Sequence, residues 1–151
     1  MSRQLPWIHV ELVPLVLQIR NLRRFVRDFC VGMSLRAEYA EQVGKAAAEL
    51  LEVTAKAACA DWVRFDLRLL GTYTEVSVTC ESTRKQRETL QEVVSEVSQG
   101  DSHEALVRSM NVPNASGIGI AGLCSLRHES SAEVTLSNTE EEVCLVLRLP
   151  V

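Results

Sequence analysis

Ser116-Gly117-Ile118-Gly119-Ile120-Ala121-Gly122-Leu123 has the residue types and spacing of a phosphate cradle. Glycines at 117 and 119 let backbone pass close to a ligand. A helix opening directly after them would aim unpaired N–H groups at an anion. The same pattern also suits a helix-start turn packed closely on a strand, and the turn alone leaves both readings open.

Other chemistry finds less support. Five cysteines (Cys30, Cys59, Cys80, Cys124, Cys144) are scattered, odd in number and without a CxxC pair. They predict reduced thiols and neither a disulfide framework nor a zinc site. His9, His103 and His128 are far apart and lack HExxH spacing, so a metal site would need a tertiary coincidence. No Ser/His/Asp or Cys/His arrangement can be argued, which leaves hydrolase chemistry without a basis. A net charge of -4 and the absence of a long basic block make nucleic acid a poor partner. The 151 residues predict one domain spanning 1–151. Pro6 to Ile19 is apolar but broken by His9 and Glu11, and it falls short of the roughly 20 apolar residues of a membrane span. No signal peptide and no membrane span are expected, and the expected location is cytoplasmic.

The elements that must position the turn follow from periodicity. Trp7 to Leu12 partly alternates as a first strand. Ile19, Leu22, Val26, Phe29 and Cys30 recur at helical spacing, and a second helix from about Arg36 to Ala58 buries Val43, Ala47, Leu50, Leu51, Thr54 and Ala58 as one stripe. Val63 to Leu69 and Thr74 to Thr79 alternate around Gly71-Thr72, which predicts an antiparallel hairpin. Thr83 to Ser98 reads as a charged helix with Leu90, Val93, Val94 and Val97 inward, and Asp101 or Ser102 caps a short helix through Met110. Asn111 to Ser116 is a loop, and Ala132 to Leu136 and Val143 to Leu149 close the chain as strands. The order β-α-α-β-β-α-α-α-β-β, with helices on one face of a mostly antiparallel sheet, makes a two-layer α/β sandwich.

In this order the chain resembles the histidine-kinase-like ATPase family, most closely its stand-alone anti-sigma-factor serine kinases. The resemblance runs from about Pro14 to Val151. Arg20 to Cys30 stands as the family's first helix, and Ala48-Glu49-Leu50-Leu51-Glu52-Val53-Thr54-Ala55-Lys56-Ala57-Ala58 as its first ATP motif. Val76-Ser77-Val78-Thr79-Cys80-Glu81-Ser82 stands at the adenine motif, Gly117-Ile118-Gly119-Ile120 at the late glycine motif, and Glu142 to Pro150 at the closing strand. The helical insert from about 83 to 115 also resembles a biofilm-regulating bacterial kinase subgroup that acts on a small partner protein. The resemblance implies a Bergerat-type ATPase fold with a mixed, mostly antiparallel sheet, and a lid-like role for the insert.

The resemblance also implies site roles. Glu49 would polarise the attacking hydroxyl or water, against its plain reading as a helix-surface glutamate. Gly117, Ile118, Gly119, Ile120, Cys80 and Glu81 would line an ATP site. Two determinants depart from the pattern. Val53 stands where an asparagine would ligate Mg²⁺, and valine offers no oxygen to a hard cation. Cys80 stands where an aspartate would receive the adenine amino group, and Cys is a weak acceptor; a one-residue slip would put Glu81 there. Cys80 is more ordinarily a small buried residue. Arg84, Lys85 and Arg87 would meet phosphates only if the insert acts as a lid, and Lys56 reads as solvated.

Because phosphoryl transfer depends on positioning and on metal and cationic stabilisation, the expectation is a degenerate member. It would be a bacterial signalling regulator that acts through protein–protein contact and binds ATP weakly or not at all. A sigma factor, an anti-sigma antagonist or a similar small switch protein would be its partner, and the first two helices imply a homodimer by analogy. An active anti-sigma-type serine/threonine kinase and a purely structural subunit remain as alternatives.

Overall fold

A computed structural model describes residues 7–58, 60–111 and 117–151. The chain runs β1 (Trp7–Leu12), α1 (Val16–Gly32), α2 (Ala37–Ala58), β2 (Val63–Leu69), β3 (Tyr73–Glu81), α3 (Arg84–Ser98), α4 (Ser102–Asn111), α5 (Ala121–Ser130), β4 (Glu133–Asn138) and β5 (Glu142–Pro150). The five strands form one sheet in the order β1-β2-β3-β5-β4. Helices pack on one face of it, as the alternation of apolar and polar residues requires.

All four pairings among the described strands are antiparallel, so the antiparallel part of the expected sheet is present and no parallel pair accompanies it. Connectivity explains this. Two helices between β1 and β2 return the chain to the end it left, whereas three helices between β3 and β4 deliver it to the opposite end. The core face carries Val63, Phe65 and Leu67 on β2, Val76, Val78 and Cys80 on β3, and Val143, Leu145, Leu147 and Leu149 on β5, all buried.

α2 departs from the single buried stripe expected of it. Ala40, Gly44, Ala46, Ala48, Val53 and Ala57 are buried together with the anticipated positions. The helix is central: it packs on α1, α3, α5, β3 and β5, so most of its circumference is covered. Small residues, mostly alanine, fit that position because they let neighbours approach while favouring the helix.

The insert is built into the same core. Leu90, Val93, Val94 and Val97 on α3 and Ala105 on α4 are buried, and α3 packs on β4 and α2. Burial of the leucine and valine side chains stabilises by about 1.5–3 kcal/mol each relative to exposure. Thr83 and Gln86 form a reciprocal capping box at the start of α3, and the Asp101 carboxylate accepts from the backbone N–H groups of His103 and Glu104. Of the loop expected from 111 to 116, all but Asn111, which ends α4, lies outside the described residues.

Candidate functional site

The glycine turn enters α5 as the sequence suggests, but the close approach falls elsewhere. Gly117 has φ +71, a left-handed conformation that favours glycine, yet a Cβ at 117 or 119 would meet nothing within 4 Å among the described residues. The crowding is at Gly122, in the first turn of α5, where a Cβ would overlap the carboxyl group of Glu49. Ile118 and Ile120 are buried and anchor the turn in the core. Ile120 is the N-cap and makes no side-chain cap bond.

Glu49 is therefore brought against α5, together with a neighbour one helical turn earlier. Lys45 Nζ donates to Ser125 Oγ at 2.9 Å. Lys45 and Glu49 lie on one face of α2, and Gly122 and Ser125 on one face of α5, so these four residues make a polar seam between two helices. Burial raises the Glu49 carboxyl above the ordinary carboxylate value, and Glu52 adds to the rise; Lys45, Arg23 and Lys56 oppose it. Lys45, Gly122 and Ser125 are not among the residues that motif matching selects. The sequence signals for them were a third glycine in the turn and a lysine four residues before Glu49.

One turn beyond Glu49, Val53 is 1% exposed and belongs to the hydrophobic core. Its side chain carries no oxygen to hold a cation. Thr54, next to it, is buried and donates its hydroxyl to the Leu50 carbonyl at 2.7 Å.

Cys80 and Glu81 end β3, paired with Val143 and Glu142 of β5. Cys80 is buried on the core side, and that burial pushes its thiol up to about 11, with Cys144 and Glu142 adding to the rise and Arg64 opposing it. Glu81 is exposed. Both line a cleft of about 830 Å³ at the end of the sheet, with Asp61, Trp62, Arg64 and Glu142 around it. Neither Glu49 nor any residue from Gly117 to Ile120 lines that cleft. Ala58, the residue of α2 that reaches it, is nine residues past Glu49, or about 13 Å along the helix axis. The structure thus joins Glu49 to the helix that follows the glycine turn and sets Cys80 and Glu81 at a second location.

Two cations of the insert are engaged. Arg87 donates to the carbonyls of Ser82 and Glu140, and Arg84 pairs with Glu88 at 3.3 Å. From α5, Arg127 donates to the carbonyls of Val97, Gln99 and Gly100 and so closes the end of α3. His103 and His128 do meet, with ring centroids 5.2 Å apart. Among the described residues, no group of three or more His, Cys, Asp or Glu side chains is placed to hold a metal. The described cysteines Cys30, Cys80, Cys124 and Cys144 are free thiols, and no described helix is long and apolar enough to cross a membrane.

No protein-family model matches the chain, and no curated protein matches it either. Eight chains of solved structures do. One is a chain from the crystal structure of the SiaB–SiaC complex of Pseudomonas aeruginosa, with a TM-score of 0.67 and 15% sequence identity. The match covers 95% of this chain and 89% of that one. At this identity the likeness is one of fold, and it takes in both the helical insert and the strands around it.

Proposed function

We propose that this protein is a bacterial signalling regulator that works by binding another protein through a histidine-kinase-like ATPase fold, with ATP binding weak or lost. The observation that carries the reading is Val53. It is sealed in the core one turn beyond Glu49, where the resembled family places its metal ligand, and valine cannot coordinate magnesium. Cys80, a buried neutral thiol at the place of the adenine-reading carboxylate, points the same way. Support for a protein partner comes from the matched fold, which occurs in a complex of two proteins. The partner proposed here is a sigma factor, an anti-sigma antagonist or a similar small switch protein, and a second copy of the chain is the other.

Thermal melting with and without Mg-ATP tests the first half of this reading. A ligand at a hundredfold excess over its dissociation constant stabilises by about 2.7 kcal/mol, so a magnesium-dependent rise in Tm overturns the reading and an unchanged Tm supports it. Affinity capture from the native host, with the captured protein identified and nucleotide binding measured on the complex, tests the second half. The alternative, an active serine/threonine kinase, is favoured by one observation. Burial raises Glu49 toward the range useful for accepting a proton. Transfer of phosphate to the captured partner would establish it.

A further inference from the structure

We infer that His103 and His128 form a two-ligand site for a divalent transition-metal ion of the zinc type. The ion would bridge α4 and α5 and tie the helical insert to the helix that follows the glycine turn. The site is independent of whether the chain binds nucleotide or a partner protein.

Three observations carry it. The two rings come from different helices and stand with their centroids 5.2 Å apart, tilted by 50°. Two imidazoles on one tetrahedral zinc, each at a Zn–N distance of about 2.0–2.1 Å, hold their centroids about 5 Å apart. The packing of α4 on α5 thus sets the spacing that such an ion needs. Second, His128 Nδ1 lies 3.1 Å from Ser102 Oγ. A hydroxyl can accept from that nitrogen, which leaves the Nε2 lone pair for a metal, and an outer hydrogen bond of this kind is what orients metal-ligating histidines. The His103 ring has no hydrogen-bond partner among the described residues, so it is free to turn about χ2 towards the same point. Both side chains are exposed, and an ion reaches them from water. Third, Asp101, Glu104 and Glu129 flank the two histidines in sequence, against Arg127, whose guanidinium is directed at the carbonyls of Val97, Gln99 and Gly100. That balance favours a cation. Imidazole nitrogen suits zinc, copper and nickel, whereas magnesium and calcium call for oxygen ligands. The pair fills two positions of a tetrahedral ion, and water takes the others.

The test adds zinc chloride to the untagged full chain as wild type, His103→Ala, His128→Ala and His9→Ala, with magnesium chloride as the control ion. His9 is the remaining histidine and reports metal taken up by any exposed imidazole. Equilibrium dialysis should show zinc bound alike by wild type and His9→Ala, and about tenfold or more weaker by each of the other two variants. Magnesium should not bind there. Zinc should raise the Tm of wild type and leave that of His103→Ala and His128→Ala unchanged. In ring-nitrogen NMR of the wild type, His103 and His128 should shift together and ahead of His9, a readout that needs no variant to fold. Equal zinc binding in all four proteins overturns the inference. So does a first shift at His9, a loss in only one of the two alanine variants, or magnesium binding as tight as zinc.

Discussion

Tyr39 on α2 and Thr74 on β3 meet at 2.8 Å between their hydroxyl oxygens, joining the helix layer to the sheet across 35 residues of chain. Tyr39 Oη also lies 2.7 Å from the Leu149 carbonyl. A carbonyl only accepts, so the tyrosine donates to Leu149 and receives the Thr74 hydroxyl proton. Thr74 is 1% exposed, so it is shielded from bulk solvent.

Tyr39→Phe is expected to destabilise by about 1–3 kcal/mol, because two buried polar groups lose their partner. The urea midpoint should fall with little change in slope. Adding Thr74→Val should recover part of the loss, since an apolar pair leaves one orphan fewer. A double variant that is weaker still would show that the hydroxyl is not what the site depends on.

Val53→Asn tests whether the missing metal ligand is simply a missing side chain. The site is sealed, so an asparagine there carries a buried amide without partners and is expected to cost about 1–3 kcal/mol. No magnesium-dependent rise in melting temperature with ATP should accompany it. Recovery of such a rise would show that position 53 faces a nucleotide after all.

Arg127→Ala should loosen the junction between α3 and α4. Its guanidinium serves three carbonyls, with Val97 at 2.9 Å, and charged hydrogen bonds of this kind contribute about 1.5–3 kcal/mol. Hydrogen exchange should speed up first in the last turn of α3 and around Gly100, while the β2–β3 hairpin keeps its protection. Uniform acceleration across the chain would mean that the residue supports global stability and not this junction.

Burial pushes the thiols of Cys30 and Cys80 from 9.0 up to about 11. Two units mean about a hundredfold less thiolate near neutral pH, so iodoacetamide should label both slowly in the native protein and quickly after denaturation. Above pH 9.0 the unfolded chain releases these protons first, so stability should fall between 9.0 and about 11. Cys80→Ala should flatten that alkaline decline. A thiol labelled at the same rate in native and denatured protein would contradict the burial.

Much of the fold is legible locally. The alternation of Val63, Phe65, Leu67 and Leu69 with polar residues marks β2, with Leu69 only partly buried at its end, and Leu22, Val26 and Cys30 mark the buried side of α1. Element ends are less so: β3 runs on to Glu81 because Glu142 of a strand 61 positions later pairs with it. The site was legible as a list of candidate positions and not as an arrangement. Gly117 and Gly119 draw attention by spacing, whereas the close contact of this segment with α2 is between Gly122 and Glu49.

Sequence by itself determined the number, order and type of elements, because periodicity and glycine placement act within a few residues. It also determined that the side chain at position 53 has no oxygen and that at position 80 no carboxylate. Tertiary structure alone decided that α2 is covered by five neighbours, that Arg127 closes a helix about thirty residues before it, and that Glu49 stands in the seam of α5. Those are relations between distant segments, fixed by how the helices pack on the sheet, and no local pattern encodes them.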